Sequence, residues 1–99
     1  MHRDGVCAVY IMSNNRRNVL YTGVTSDLLK RVAEHKARSD PRSFAARYNA
    51  TNLVFFETTP NIAAAVAREK QIKAGSRRNK LELIAAQNPG FRDLAVEWS

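Results

Sequence analysis

One carboxylate in the chain falls where an apolar side chain is expected. Glu69 lies in a predicted helix, on the stripe that should face the core. The other members of that stripe are Ile62, Ala65, Val66 and Ile72. A buried carboxylate is costly unless it is paired, hydrogen-bonded or bound to a metal, and its oxygens suit a hard cation. Glu69 is therefore a candidate metal ligand, and a structural ion pair with Arg31 is the ordinary alternative.

A cation and an imidazole share one face of an earlier predicted helix. This helix runs from about Asp27 to Ala37, with Thr25 or Ser26 as its N-cap. Its expected buried stripe is Leu28, Leu29 and Val32. Arg31 and His35 are four residues apart, so they share a face, and His35 extends the buried stripe. A guanidinium can hydrogen-bond two phosphate oxygens at once, although each residue taken singly is an ordinary surface arginine or packed histidine.

Two tyrosines sit in adjoining predicted strands near the N-terminus. The triplet Ala8-Val9-Tyr10 lies in a strand over about residues 6–12, and Tyr21-Thr22-Gly23 ends a strand over about 19–23. A polar, Asn-rich loop joins the strands as a hairpin. The first strand is apolar on both faces, which predicts a central position. Both tyrosines can share one face, and Gly23 indicates a tight turn or a close approach.

The remaining elements complete a small α/β domain. A basic, irregular stretch over 38–52 leads to a third strand over 53–57. A second helix follows, with Thr59 as its cap and Pro60 at its first position, and ends at about Ala74. Ser76 caps a third helix over about 77–86, whose inward residues should be Leu81, Ile84 and Ala85. We expect a single domain over 1–99, with a core over 6–86 and a tail over 87–99 that packs back through Phe91, Leu94 and Trp98.

The charge of the chain points to a polyanionic partner. Sixteen Lys and Arg face nine Asp and Glu, which gives a net charge of +7 over 99 residues. Nucleic acid is the first candidate partner and an anionic membrane the second. No apolar stretch reaches the roughly 20 residues that span a bilayer. Cys7 is the only cysteine, so neither an intrachain disulfide nor a Cys/His zinc cluster is expected. We expect a cytoplasmic protein.

Two basic stretches are candidate nucleic-acid surfaces. The first lies between the two early helices and contains Arg38, Arg42 and Arg47, with Phe44 and Tyr48 interleaved. The second flanks Glu69 and contains Arg68, Lys70, Lys73, Arg77, Arg78 and Lys80. Both can track a phosphate backbone, and the aromatic rings can stack on exposed bases. The alternative for each stretch is an ordinary solvated face.

The ordered set Tyr10, Tyr21, Gly23, Arg31, His35 and Glu69 resembles the signature of the GIY-YIG nuclease superfamily. The chain is most similar to its small stand-alone URI-domain (YhbQ-like) members, on the run 67–73 and on Asn88-Pro89, and also resembles the N-terminal nuclease domain of UvrC. The resemblance implies a three-stranded, mainly antiparallel sheet flanked by helices. It also implies that Tyr10 is a general base, that Tyr21 and His35 orient water or phosphate, that Arg31 binds phosphate, and that Glu69 holds one Mg²⁺ or Mn²⁺.

The resulting expectation is a metal-dependent DNA endonuclease in repair or processing, with Gly23 among the DNA-contacting residues. Many family members carry a late Asn, and Asn79 is its uncertain counterpart here. One alternative is a nucleic-acid-binding module with an inactive site. Another is a protein-interaction domain that is recruited to repair complexes. The form of the DNA (single-stranded, branched or duplex) and the oligomeric state stay open.

Overall fold

The computed structural model describes residues 6–38, 40, 42–96 and 98. Its elements in chain order are β1 (Ala8–Ser13), β2 (Leu20–Thr25), α1 (Leu28–Ala37), α2 (Phe44–Arg47), β3 (Asn52–Thr58), α3 (Ile62–Ala74) and α4 (Arg77–Gln87). The three strands form one sheet in the order β2-β1-β3, and both pairings are antiparallel. The predicted small antiparallel sheet flanked by helices is confirmed.

The central strand β1 separates two apolar clusters. On one face, Tyr10 and Met12 pack with Leu28 and Val32 of α1. On the other face, the buried residues are Val9, Ile11, Val54, Phe55, Ile72 and Ile84. All six residues of β1 are buried, as the apolar character of both of its faces predicts. The sheet is therefore covered by α1 on one side and by α3 and α4 on the other.

An irregularity in the pairing of β1 with β3 shapes the second cluster. Ile11 pairs with Phe55, but the next residue, Met12, pairs with Leu53, so Val54 is an extra residue on β3. An extra residue in one strand breaks the strict alternation of side chains. Val54 and Phe55, although adjacent in sequence, both belong to the cluster beneath α3 and α4.

Two helix starts differ from the prediction. The cap of α1 is Asp27, which accepts a hydrogen bond from the Lys30 amide at 3.3 Å, while Thr25 ends β2. The cap of α3 is Asn61 and not Thr59, because the Thr59 amide donates to the Cys7 carbonyl at 2.8 Å. The predicted Ser76 cap of α4 is confirmed.

The buried faces of the helices are narrower than the sequence pattern predicts. Several apolar residues expected to point inward are exposed: Leu29, Ile62, Leu81 and Ala85. On α3 the buried residues are Ala65 and Ile72, and on α4 only Ile84 is buried. A short helix that packs on a sheet contacts it with only a few residues in each turn. A buried stripe assigned from spacing alone therefore also includes residues at the edge of the contact, and these are exposed. The stretch over 38–52, predicted to be irregular, contains the short helix α2.

The C-terminal segment covers the outer edge of β3. The Gln87 side chain accepts from the Phe56 amide at 3.0 Å and donates to the Phe56 carbonyl at 2.8 Å. The Leu94 amide donates to the Leu53 carbonyl at 2.7 Å. The Trp98 ring lies 5.6 Å from the ring of Phe56. An exposed strand edge invites pairing with another chain, and these contacts satisfy it internally.

Asn88 is the most deeply placed of the residues that cover this edge. Its amide nitrogen donates to the Val54 carbonyl at 3.0 Å and to the Arg92 carbonyl at 2.8 Å. Its amide oxygen accepts from the Arg92 amide at 3.1 Å. Asn88→Ala should therefore lower the free energy of unfolding by about 2–4 kcal/mol, because it leaves buried groups without partners.

The matched control is Gln87→Ala, which removes two hydrogen bonds to Phe56 of β3, whereas Asn88→Ala removes one to β3 and two to Arg92. Gln87 is exposed, so water can replace its side chain, and the loss should stay below about 1 kcal/mol. Urea denaturation of both variants measures the difference. Equal losses would show that burial of Asn88 is not what makes its hydrogen bonds important.

Candidate active site

Three rings from three elements meet on the face of the sheet that α1 covers. The Tyr10 hydroxyl of β1 lies 2.8 Å from Nε2 of His35, in the last turns of α1. Tyr21 of β2 lies with its ring centroid 5.4 Å from that of His35 and 6.4 Å from that of Tyr10. The strand register explains the arrangement, because Met12 pairs with Tyr21 and Tyr10 with Gly23, so the two tyrosines are diagonal neighbours on one face.

Gly23 makes room for the Tyr10 ring. A Cβ atom at this position would lie 2.6 Å from the Tyr10 hydroxyl and 2.8 Å from its Cζ atom. The close approach predicted for Gly23 is thus a contact within the protein. Gly23 is buried in β2, and its contact with DNA stays a prediction.

The surroundings of Tyr10 and His35 define the direction of their hydrogen bond. Burial raises the pKa of Tyr10, and the nearby Tyr21, Glu69 and Glu34 raise it further, while Arg31 opposes them. Burial and the charge of Arg31 lower the pKa of His35. Both groups are therefore uncharged at neutral pH. Among the described residues His35 is the hydrogen-bond partner of the buried Tyr10 hydroxyl, so the phenol donates to Nε2 rather than leave its proton without an acceptor, and the proton of the neutral imidazole lies on Nδ1.

Arg31 and Glu69 each form an ion pair, but not with each other. Arg31 Nε lies 3.6 Å from a carboxylate oxygen of Glu34, one turn further along α1. Glu69 lies 2.9 Å from the Lys73 ammonium, one turn along α3. The alternative in which Glu69 pairs with Arg31 is therefore wrong. The negative charge of Glu69 is one of the smaller causes that raise the pKa of Tyr10.

Two hollows adjoin Tyr21. The first, of about 260 Å³, lies over α1 and the segment that follows it, and its walls include Tyr21, Arg31, Glu34, His35 and Arg38. We call it the catalytic cleft. The second, of about 330 Å³, is shallower and lies between β2 and the two long C-terminal helices, with Lys73 and Lys80 in its wall. The half-buried Tyr21 stands between the two and lines both.

The other predicted nucleic-acid contacts are spread over several surfaces. Most cations of α3 and α4 already have partners: Arg68 binds Glu57 at 3.0 Å, Arg78 lies 3.4 Å from Glu82, and Arg77 donates to the Arg17 carbonyl at 3.2 Å. Lys70 is exposed on α3, and Asn79 is exposed on α4, away from the three rings. Arg42 is exposed, Arg47 and Tyr48 line a separate groove, and the side chain of Phe44 lies outside the described residues.

Comparison with protein families finds the GIY-YIG catalytic domain over residues 6–82, which include all five predicted catalytic positions. The chain belongs to the GIY-YIG family. It is 36% identical over 81 residues to a UPF0213 protein of Syntrophus aciditrophicus, which covers 82% of this chain and 91% of that one. It is also 30% identical over 77 residues to the UPF0213 protein YhbQ of Escherichia coli, over 78% of this chain and 75% of that one.

A solved structure supports the same fold. The solution structure of the UPF0213 protein BH0048 of Bacillus halodurans matches with a TM-score of 0.56 and 23% identity. The match covers 94% of this chain and 98% of that one. The predicted membership among small stand-alone GIY-YIG proteins is therefore confirmed. Family membership supports nuclease activity in general, and none of the described helices could span a bilayer.

The donor groups of this GIY-YIG site fit a divalent cation that is held by few protein ligands. The described residues contain no group of three or more His, Cys, Asp or Glu side chains able to hold a metal. Mg²⁺ commonly binds through one or two carboxylates, with water and substrate phosphate completing its shell. Glu69, with 18% of its side chain exposed and a single lysine partner, suits that arrangement.

The structure adds residues that the motif did not identify. Glu34 lines the catalytic cleft, pairs with Arg31 and acts on the pKa of both Tyr10 and His35. Asp40 and Ser43 complete the wall opposite α1. Glu34 could have been recognised from its spacing, because it lies three residues after Arg31 and next to His35 on the same predicted helix.

Gly23→Ala tests how closely Tyr10 is held. The new Cβ would overlap the phenol, so Tyr10 must move and its bond to His35 must break. We expect a loss of about 1–3 kcal/mol of stability from overpacking. The pKa of His35, followed by NMR, should rise towards its ordinary value, because the neutral imidazole loses a donor.

Gly90→Ala is the control for this substitution. A Cβ at Gly90 would meet only the flexible side chain of Arg92, at 3.4 Å and beyond. Stability and the His35 titration should both stay close to those of the parent protein. An unchanged His35 pKa in a folded Gly23→Ala variant would contradict the proposed link between Gly23, Tyr10 and His35.

Proposed function

We propose that this GIY-YIG protein is a divalent-metal-dependent endonuclease that hydrolyses phosphodiester bonds of DNA, with repair or processing of DNA as its setting. The observation that carries the proposal is the catalytic cleft itself. A phenol, a neutral imidazole and a guanidinium line one small hollow, and the negative charge of Glu69 acts on the neighbouring Tyr10. Phosphodiester hydrolysis needs these abilities: activating water, binding phosphate oxygens and neutralising charge.

Tyr21 fits the general base better than Tyr10 does. Tyr10 is 1% exposed, its pKa is raised, and its proton is directed at His35, so an attacking water has no access to it. Tyr21 lines the cleft beside Arg31 and is half-buried. We therefore assign Tyr21 the task of accepting a proton from water, and Tyr10 the positioning of His35. The expectation that Tyr10 is the base does not fit its burial.

His35 and Arg31 act on the phosphate in this proposal. Since Nε2 of His35 accepts from Tyr10, the Nδ1 proton is left as the donor of the ring. The guanidinium of Arg31, which is 48% exposed, can hydrogen-bond two phosphate oxygens. Glu69 would hold the divalent cation. Such a cation, when bound, supplies charge neutralisation at the phosphate and at the leaving oxygen.

The two tyrosine roles predict different losses on removal of a hydroxyl. Tyr21→Phe should lower the cleavage rate about 10²- to 10⁴-fold, the usual contribution of a general base. Tyr10→Phe should cost about tenfold and should raise the pKa of His35, which loses its donor. Single-turnover cleavage of a labelled DNA and an NMR titration of His35 measure both effects. A larger rate loss in Tyr10→Phe than in Tyr21→Phe would identify Tyr10 as the general base.

Glu69→Gln tests the metal ligand. Glutamine is nearly the same size but lacks the charge that holds a hard cation, so cleavage in Mg²⁺ or Mn²⁺ should fall on the order of a thousandfold or more. The melting temperature without metal should change little, because the substitution removes only one partly exposed ion pair with Lys73. Cleavage assays on linear and branched DNAs with each metal, together with thermal melts, give both quantities.

Glu82→Gln is a matched control for Glu69→Gln. Glu82 forms an ion pair of the same spacing, with Arg78 on α4, and is exposed. The Glu82→Gln variant should therefore cut DNA at the parent rate. Cleavage by the Glu69→Gln variant at the parent rate would show that Glu69 does not hold the catalytic metal. DNA binding by the parent protein without cutting in any metal would instead support the inactive binding module.

A further inference from the structure

A second, larger groove lies beside the catalytic cleft. It is bounded by the β1–β2 loop, the end of α1 and the segment that follows α2, and its volume is about 880 Å³. Its walls are mainly polar and include Asn14, Asn15, Arg16, Arg38, Arg47 and Tyr48. We call it the Asn/Arg groove. It lies within the range of roughly 300–1,000 Å³ in which small-molecule and nucleotide sites fall.

The groove concentrates cations that have no carboxylate partner. Within the described part of the chain, Arg16, Arg38 and Arg47 form no ion pair, and the Arg47 guanidinium lies over the Tyr48 ring, 5.9 Å from its centroid. The cations of α3 and α4 differ, since Lys73, Arg68 and Arg78 each contact a glutamate. An unpaired, exposed guanidinium is available for a phosphate without first breaking an ion pair. Three cations without a carboxylate partner thus line one groove, whereas, among the described residues, the corresponding cations of α3 and α4, namely Lys70, Arg77 and Lys80, line no hollow in common.

The groove is formed by local hydrogen bonds that exist without a ligand. The Asn14 amide oxygen accepts from the backbone of Asn18 at 3.0 Å and of Val19 at 3.1 Å, which closes the β1–β2 loop. The Asn15 amide oxygen accepts from the Asn52 side chain at 2.8 Å, which joins the loop to β3. Asn15 therefore has its amide nitrogen, a donor, left for another molecule.

Arg38 connects the groove to the catalytic cleft. It is the C-cap of α1, in a left-handed conformation with φ of 53°, and its amide donates to the His35 carbonyl at 3.1 Å. Its side chain lines both the cleft and the groove. A phosphate bound by Arg38 would therefore lie on the path between Arg31 and His35 on one side and Tyr48 on the other.

We propose that the Asn/Arg groove binds an unpaired nucleotide of the DNA strand that is cut, next to the scissile phosphate. Arg38 and Arg16 bind the flanking phosphates, Tyr48 stacks on the base, and the Asn15 amide donates to the base edge. This inference rests on the proposed nuclease function and adds the form of its substrate. A duplex keeps its bases stacked inside, so an aromatic ring and an amide in a groove gain these contacts only from a strand that is open.

The stacking contact is tested with the full chain in the absence of divalent metal. Fluorescence anisotropy measures the affinity for an oligothymidine strand, for an abasic strand of equal length and for a duplex. Tyr48→Ala should weaken binding of oligothymidine roughly 5- to 150-fold, the range for loss of one base–aromatic stack, and Tyr48→Phe should restore it. Binding of the abasic strand should be the same for all three proteins.

The phosphate contact is tested with Arg38→Asn, since Asn tolerates the left-handed conformation of this position. This variant should bind both the oligothymidine and the abasic strand more weakly and should show a shallower dependence on salt. The control is Arg92→Asn, which removes an exposed arginine that does not line the groove, and it should bind as the parent does.

Two results would overturn the proposal: equal or tighter binding of the duplex, or unchanged oligothymidine affinity in Tyr48→Ala. Cleavage assays separate this failure from that of the nuclease. If the parent cuts DNA and Glu69→Gln does not, the nuclease stands even where the groove variants bind normally. If no metal supports cutting while Tyr48→Ala and Arg38→Asn lose affinity as expected, the groove stands without the nuclease.

Discussion

The site depends on a hydrogen bond inside the apolar core, from the Tyr10 hydroxyl to the His35 imidazole. Tyr10 belongs to the central strand and is packed with Met12, Leu28 and Val32, so its ring has little freedom to move. Its hydroxyl would be an unsatisfied polar group there without His35, and such a group is costly in a core. The bond therefore serves the fold and the site together: it satisfies the phenol and fixes the tautomer and direction of the imidazole.

One face of α1 carries most of the groups that the cleft presents. Arg31, Glu34 and His35 follow one another at intervals of three residues and one residue, so they lie on one side of the helix. Leu28 and Val32 hold the adjacent side against the sheet. Because the helix is fixed by this packing, the distances among the charged groups are set by helical geometry. The left-handed residue Arg38 then ends the helix and turns the chain along the groove wall.

Much of this arrangement could be predicted from the sequence, for reasons that differ between residues. Strand β1 was identifiable as central because both of its faces are apolar, and the common face of Tyr10 and Tyr21 follows from pairing in a hairpin. The helix caps at Asp27 and Asn61 could not be identified from the sequence, because a neighbouring Thr or Ser is also a suitable N-cap residue in each case. What decides between them is the length of the preceding strand, which depends on the partner strand. The partner of Glu69 could not be predicted either. Lys73 and Arg31 both carry the right charge, and only the packing of α3 brings one of them, Lys73, close to Glu69.

The distribution of charge gives the two basic regions different capacities to bind a strand. On α3 and α4 three of the six lysines and arginines, namely Arg68, Lys73 and Arg78, form ion pairs with glutamates, and Arg77 donates to the Arg17 carbonyl. The loop around Arg16 and the segment around Arg47 contain asparagines where those helices contain glutamates, and their cations stay unbalanced. An asparagine offers hydrogen bonds without cancelling a neighbouring positive charge. In the proposed role of the groove, neutral amides in place of carboxylates would leave its positive charge available for phosphate and would offer hydrogen bonds to a base edge. Arg38 lines both this groove and the cleft that contains Tyr21 and His35.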